Sequence, residues 1–570
     1  MTMYRDNHSV YHGRRRLLLF LFVVALCLLL ARAFQLQVLE HNFLQAKAEQ
    51  RHYTHINLPA RRGMITDRHG KVLAVSTPIG KVWYQPGQDS ALSAEQKTYL
   101  QSILNIGSSN IDLAEKTGSR KYLSRVVPYD LLDEITAANL PGVGMDRAHR
   151  RYYPQKDIFA HVLGYTNFED QGQEGLEMAY EEYLAGRPGK RKVLRDRRNN
   201  VLEHVSQLEE MRPGQPLRLS LDERIQYLAY DELKQAVDYY QASSGSVVVL
   251  DVLTGEVLAM ASQPSFNPND GSSKQPERVR NRAVMDSFEP GSTFKPFTIA
   301  AALESGLYSK NSIIDTSPGS LKIGKNTIKD PRNYGSISFA SLLSHSSNVG
   351  ASKVSMTIPK ESFWGLLSDI GFGRSTDSGF PSEANGDLLE LSEWYPMNRA
   401  SISFGYAVSV TPLQLAQGYA VIAANGMRKP ITFVARDEIP QGVQVISPEN
   451  AKYIREMLQD VVSPESTGYK AAVEGYRVSG KTGTARKVIN RLYSDQHHVV
   501  TFAGMAPAKS PRLVTVVMID DPKSDKATGG DIAAPVFSKI MRSSLRLLNV
   551  KPAEEEMQDG YVNSLPELRL

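Results

Sequence analysis

The stretch Phe288-Glu289-Pro290-Gly291-Ser292-Thr293-Phe294-Lys295 decides how this chain is read. Glu289-Pro290-Gly291 is a turn signal, and Ser292 is placed to open a helix. Ser292 and Lys295 then stand three residues apart, on one helix face and within side-chain reach. Upstream, Gly245 to Asp251 is a β-rich apolar run, Thr254-Gly255 a turn, and Glu256 to Met260 a returning strand, which together make a hairpin. Downstream, helical periodicity dominates from Lys295 to Leu415. Strand-like runs follow at Tyr476–Ser479, Val499–Met505 and Leu513–Ile519, and a helical run at Ala534–Leu547. Strands, many helices, strands and a last helix imply an α+β fold, with an antiparallel sheet flanked by helices.

Two further elements belong with this stretch: Ser346-Ser347-Asn348 and Lys481-Thr482-Gly483-Thr484. A serine hydroxyl is a poor nucleophile until a base removes its proton. A desolvated lysine beside other cations loses its own proton and can be that base. Lys295 is the candidate base for Ser292. Ser346 and Asn348 alternate on what is read as an extended or loop segment, so both point the same way. The Ser346 hydroxyl can pass a proton to a leaving amine, and the Asn348 amide can hold a substrate carbonyl. Gly483 lets a strand backbone approach a ligand closely. Lys481, Thr482 and Thr484 can bind a substrate carboxylate. Each element alone is a weak signal, and the order and separation of the three carry the reading. The bland alternative is a capping Ser292 beside a surface Lys295.

Composition excludes several other classes. The 570 residues allow roughly three or four domains. Hydrophobic residues at 41% exclude a disordered chain, and a net charge of +5 is too thin for a nucleic-acid binder. One cysteine, Cys27, excludes internal disulfides, Cys-based zinc sites and iron–sulfur clusters. The twelve histidines show no ligand spacing. Gly475-Tyr476-Arg477-Val478-Ser479-Gly480-Lys481-Thr482 spells a Walker A motif. It lacks a buried strand before it and a good helix start after it, so a phosphate-binding loop is not expected.

The amino terminus points to a membrane. Leu17 to Ala31 is uncharged and follows Arg14-Arg15-Arg16. At ~1.5 Å per residue it covers about 22 Å, short of the ~30 Å hydrocarbon core. With Arg32 snorkelling, the helix continues to Leu39 and reaches spanning length. A cleaved signal peptide competes, because Ala31-Arg32-Ala33 fits the small-x-small cleavage pattern. A buried core helix fits poorly with the triple-arginine flank. The arginines predict a cytoplasmic amino terminus. Beyond Glu40, a polar stretch to Ala60 can extend the membrane helix, and Phe34 to Ala48 is amphipathic. Arg62 to Ala74 is a strand, a turn at His69-Gly70 and a strand. Ser90 to Asn139 holds short amphipathic helices, and the basic run Arg187 to Arg198 is read as a solvated face.

Taken together, these motifs resemble the class B penicillin-binding proteins, most closely the division-specific type. The resemblance covers nearly the whole chain. Arg62-Gly63, Ile65, Asp67-Arg68 and Gly70 resemble the first box of that family's pedestal. Arg151-Tyr152-Tyr153-Pro154, Gly164 and Gly175-Leu176-Glu177 resemble later boxes. The implied organisation is a cytoplasmic stub (1–16), a transmembrane anchor (17–39), a membrane-proximal linker (40–60), an elongated pedestal of dimerisation type (61–222), a transpeptidase domain (223–550) and a mobile tail (551–570). The implied reaction is acyl transfer from a peptidoglycan stem peptide ending in D-Ala-D-Ala, through an acyl-enzyme on Ser292, during septal wall synthesis. The backbone N–H groups of Ser292 and Thr484 would form the oxyanion hole. β-Lactams would acylate Ser292, and no metal or organic cofactor is implied. The implied location is the bacterial inner membrane with a periplasmic catalytic domain, beside a polytopic glycosyltransferase and other division proteins, with no nucleic acid. Three readings stay open beside this one: an elongation-specific transpeptidase, a D,D-carboxypeptidase or β-lactamase using water, and a penicillin-binding scaffold of the division complex.

Overall fold

A computed structural model of the chain describes residues 8–44, 53–87, 91–195, 201–490, 492–524 and 527–552. Most of the expected tail and part of the expected linker and stub lie outside the described residues. The chain divides into two compact units. One holds the described residues up to Arg61 together with Gly186–Pro213, and the other holds those of 62–185 and 214 onward.

In the first unit, a helix runs His8–Phe34 and passes into a wider π-helical turn, Gln35–Leu39. Within the span His12–Leu39, the most apolar 18-residue window has a mean hydropathy of 2.8, and none of that window is buried by protein. The 28 residues of the span cover about 42 Å at ~1.5 Å per residue, more than the ~30 Å hydrocarbon core. The apolar side chains from Leu17 to Leu30 all face outward, which suits lipid and not a protein core. The remainder of this unit is an antiparallel three-stranded sheet of Tyr53–Leu58, Gly189–Arg195 and Val201–Glu209, with Gly189–Arg195 in the centre. The basic run is therefore a strand from Gly189 to Arg195, not merely a solvated face. Val193 is buried while Lys190 is exposed and pairs with Glu209, so the alternation is masked by long basic side chains. The rest of that run lies outside the described residues.

In the second unit, Ile65–Thr66 and Val72–Tyr84 are the expected strands around a turn. The Asp67 carboxylate closes that turn by accepting from the backbone N–H groups of His69 and Lys71, both at 2.8 Å. Between the helices Ala94–Leu104, Ser109–Thr117 and Tyr129–Ala137 lies a strand, Lys121–Val127, that the helical reading missed. It is an edge strand with only Leu123 and Val127 buried, too little alternation to announce itself. The residues that suggested a pedestal meet at one buried carboxylate. Arg62 Nε donates to Glu177 Oε2 at 2.7 Å and Arg151 Nε to Oε1 at 2.6 Å.

The second large sheet carries the site. Its strands are β1 (Ser244–Asp251), β2 (Val257–Gln263), β3 (Ser479–Ile489), β4 (Leu492–Ala506) and β5 (Leu513–Asp520). They lie in the order β2-β1-β5-β4-β3, antiparallel throughout, with β3 at the edge. The helices that matter are α1 (Glu223–Tyr239), α2 (Lys295–Glu304), α3 (Asn348–Thr357), α4 (Pro412–Ala423) and α5 (Ala534–Leu547). α1 and α5 cover one face of the sheet, where Val247, Val249, Val517 and Ile519 meet Leu233, Phe537 and Ile540. α2 and α4 lie on the other, where Val248, Leu250 and Val516 meet Phe297, Leu413 and Ala416. Both faces are buried, so β1 reads as a continuous apolar run rather than an alternating one. The strand expected at Tyr476–Ser479 begins only at Ser479. Tyr476 makes a single bridge to Val473, and its hydroxyl donates to the Val550 carbonyl at 2.6 Å.

Candidate active site

The turn Gly291–Phe294 is 3₁₀, and the α-helical geometry of α2 starts at Lys295. Ser292 thus precedes the α-helix instead of opening it. The tighter winding eclipses residues three apart, which brings Lys295 Nζ to 2.9 Å from Ser292 Oγ. Packing holds the turn in place. Phe294 and Phe297 pack against each other and against Phe372, and the Tyr419 hydroxyl donates to the Thr293 carbonyl at 2.9 Å. Gly405 has φ +83°, and a Cβ there would lie 2.0 Å from the Gly291 carbonyl oxygen, so only glycine permits this contact.

Lys295 is wholly buried, and its Nζ lies among four oxygens: Ser292 Oγ at 2.9 Å, Ser346 O at 2.6 Å, Ser346 Oγ at 3.0 Å and Asn348 Oδ1 at 2.8 Å. The structure therefore brings Ser292, Lys295, Ser346 and Asn348 together. The segment carrying the last two is not extended. Ser346 is left-handed, at φ +58°, and Asn348 is the first residue of α3. The kink aims the carbonyl and hydroxyl of Ser346 at the same amine, while Ser347 turns away and caps α3 by accepting from Gly350 N–H at 2.8 Å. Burial pulls the Lys295 amine well below its ordinary range. The Lys481 cation pulls it further, and Asp330 partly opposes both. A neutral amine has a lone pair, and the Ser292 hydroxyl then donates to it.

Lys481, Thr482, Gly483 and Thr484 lie on β3, at the sheet edge. No helix follows them, so the Walker A spelling does not form a phosphate loop. Lys481 is buried, and its Nζ contacts Thr482 O at 3.2 Å and Thr482 Oγ1 at 3.5 Å. Burial lowers its pKa to about 7. The close approach expected of Gly483 is to the Ser292 turn: a Cβ there would lie 2.9 Å from both Pro290 O and Thr293 Cγ2. Between turn and strand opens a cleft of about 370 Å³, lined by Ser292, Ser346, Thr482 and Thr484. It is also lined by Thr467, Thr528, Gly529, Gly530 and Asp531, none of which the motifs had indicated. Thr482 Oγ1 donates to Thr467 Oγ1 at 3.2 Å, and Gly529 N–H to Thr484 Oγ1 at 3.1 Å. Thr467 and Thr528 lie on loops and Gly529, Gly530 and Asp531 in a π-helical turn, Gly529–Ala533, and no local pattern marks them.

The arrangement is a serine hydroxyl, a buried amine 2.9 Å from it and a lysine-bearing edge strand beside one cleft. The sequence profile described as the penicillin binding protein transpeptidase domain matches residues 245–542, and that of the penicillin-binding protein dimerisation domain matches residues 57–219. The chain belongs to the penicillin-binding protein transpeptidase family. Among its relatives in that family, the probable peptidoglycan D,D-transpeptidase PenA of Neisseria meningitidis is 38% identical over 548 residues, which is 95% of this chain and 94% of that protein. The peptidoglycan D,D-transpeptidase FtsI of Escherichia coli K12 is 38% identical over 537 residues, 93% of this chain and 91% of that protein. Among solved structures, penicillin-binding protein 3 of Mycobacterium tuberculosis complexed with aztreonam superposes with a TM-score of 0.68 at 28% identity, over 87% of this chain and 98% of that one. The transpeptidase domain of Burkholderia pseudomallei penicillin-binding protein 3 gives 0.54 at 40% identity, over 59% of this chain and 97% of that one.

Proposed function

We propose that this penicillin-binding protein is a serine-type peptidoglycan D,D-transpeptidase that cross-links stem peptides in septal wall synthesis and is acylated by β-lactams. The observation that carries the reading is the buried Lys295 amine 2.9 Å from Ser292 Oγ. Lys295 takes the Ser292 proton as Oγ attacks the carbonyl carbon of the D-Ala-D-Ala bond. The tetrahedral oxyanion forms against the N–H groups of Ser292 and Thr484, donors of a kind worth ~10²–10³ in rate each. It collapses as the terminal D-alanine leaves with a proton delivered through Ser346. The amine of a neighbouring strand then attacks the acyl-enzyme, a peptide bond forms, and Ser292 regains its proton. Asn348 holds a substrate carbonyl, and Lys481, Thr482 and Thr484 hold the terminal carboxylate. An extended peptide can lie along β3, because an edge strand leaves backbone groups unpaired.

The wider setting is part of the same proposal. The chain is organised as stub 1–16, anchor 17–39, linker 40–60, pedestal 61–222, transpeptidase domain 223–550 and tail 551–570. The arginines before the anchor place the amino terminus in the cytoplasm and the catalytic domain in the periplasm. Phe34, Val38, Leu39, Phe43 and Leu44 are exposed and apolar, which supports a contact with the membrane helices of a division glycosyltransferase. The test is product analysis with a pure stem pentapeptide, with and without an acceptor amine. A cross-linked product that requires the acceptor supports transpeptidation, whereas release of D-alanine with a hydrolysed peptide alone, even with acceptor present, overturns it in favour of a carboxypeptidase.

A further inference from the structure

Asp330 lies outside all three motifs, yet it grips the middle one from behind. Its Oδ1 accepts from Asn348 N–H at 2.6 Å and from Val349 N–H at 3.1 Å, and its Oδ2 accepts from the Ser347 hydroxyl. Ser347 Oγ in turn accepts from Gly350 N–H. Three of the first N–H groups of α3 are thereby satisfied by one carboxylate and one hydroxyl. Successive side chains in Ser346-Ser347-Asn348 point in opposite senses: the outer two reach Lys295, and the central one reaches Asp330. Asp330 itself is fixed by the hairpin of Ser320–Ile323 and Asn326–Lys329, with its N–H donating to Gly319 O at 3.0 Å.

We propose that Asp330 is a positioning residue for acylation, holding Ser346 and Asn348 against Lys295 by fixing the left-handed turn and the start of α3. This rests on the assignment of Ser292 and Lys295 given above. A left-handed serine is uncommon and strained, so it persists only where surrounding contacts over-determine it. The clamp on Ser347 and Asn348 supplies such contacts directly after Ser346. Asp330 also acts at a distance. The charged groups that bear on Lys295 are Lys481 from β3 and Asp330, while its own turn and the α3 segment present only the neutral Ser292, Ser346 and Asn348. Asp330 opposes the two influences that make Lys295 neutral, so it sets how readily Lys295 both takes and gives up a proton.

The experiment measures acylation of the full chain by a labelled penicillin across pH, separating affinity from the acylation rate constant. The variants are Asp330→Asn, Asp330→Glu, Ser347→Ala and Ser292→Ala. Asp330→Asn is expected to slow acylation about 10- to 100-fold, the scale of a misplaced reacting group, with affinity little changed. It is also expected to move the acidic limb of the profile to lower pH, because loss of a negative charge lowers the proton affinity of Lys295. Lys481, which burial alone brings to about 7, keeps its own limb. Ser347→Ala, which removes a contact but no charge, is expected to slow acylation without moving the profile, and Asp330→Glu to restore the acidic limb. If Asp330→Asn and Ser347→Ala both acylate at the parental rate with the profile unmoved, the inference is overturned while Ser292→Ala still loses the label. If Ser292→Ala keeps the label, the underlying assignment fails instead.

Discussion

Lys295 and Lys481 are two amines buried close together, an arrangement that serves chemistry at the expense of stability. A buried ammonium without a paired carboxylate is unfavourable, so both shed protons more easily than a free lysine. For Lys481 the sign is definite. Folded, it titrates near 7, and unfolded, near 10.5. Between those values the unfolded chain binds the extra proton, so stability rises with pH across that window and the full penalty applies below it. Lys481→Met is therefore expected to stabilise the fold at neutral pH by a few kcal/mol, on the order given by linkage, and to flatten this pH dependence. Chemical denaturation at several pH values checks it, and acylation should be lost in the same variant. Lys295→Arg puts a permanent cation where the neutral amine stands, and so removes the lone pair that can accept the Ser292 proton. Acylation is expected to fall ~10²–10⁴-fold with little change in affinity for the labelled penicillin. A fall in affinity with an unchanged acylation rate constant would exclude Lys295 as the base.

At the scale of elements, the site is the seam between the edge strand β3 and the turn that precedes α2. Glycine makes the seam narrow. Gly483→Val would place carbon atoms against Pro290 and Thr293, pushing β3 away from Ser292. A displacement of about 1 Å costs ~10²-fold in such sites, and overpacking costs ~1–3 kcal/mol, so acylation kinetics and unfolding midpoint should both fall. Much of this seam is legible in the sequence. The hairpin of β1 and β2, the helix Ala534–Leu547 and the meeting of Ser292, Lys295, Ser346 and Asn348 follow from periodicity and spacing. The left-handed Ser346 does not, because no glycine or asparagine marks it and tertiary contacts hold it. Asp330, Thr467 and Thr528 are silent for a related reason: each reaches the site from a loop, and only the fold sets that proximity. The strands Lys121–Val127 and Gly189–Arg195 were hidden by brief or basic alternation.

At the scale of the whole molecule, the chain carries one apolar helix among its described residues and matches two domain profiles. Glu177 ties Arg62 to Arg151 with all three side chains buried, and its loss takes from Arg151 its paired carboxylate while Arg62 keeps Glu181. Glu177→Ala is expected to cost ~3–5 kcal/mol in denaturant unfolding, the scale of a broken buried ion pair, while leaving the chemistry of Ser292 in place in the folded fraction. The helix His8–Phe34 exposes its leucines on every side, and a chain beginning after Leu39 should leave the membrane fraction and remain acylable. Cys27, the one cysteine of the sequence, lies within that helix, so no residue beyond it supplies a thiol. The most direct measurement is mass spectrometry of the full chain and of Ser292→Ala after incubation with a penicillin. The account predicts one adduct, on the peptide containing Ser292, absent from the variant; an adduct that persists in Ser292→Ala, or maps to another residue, would contradict it.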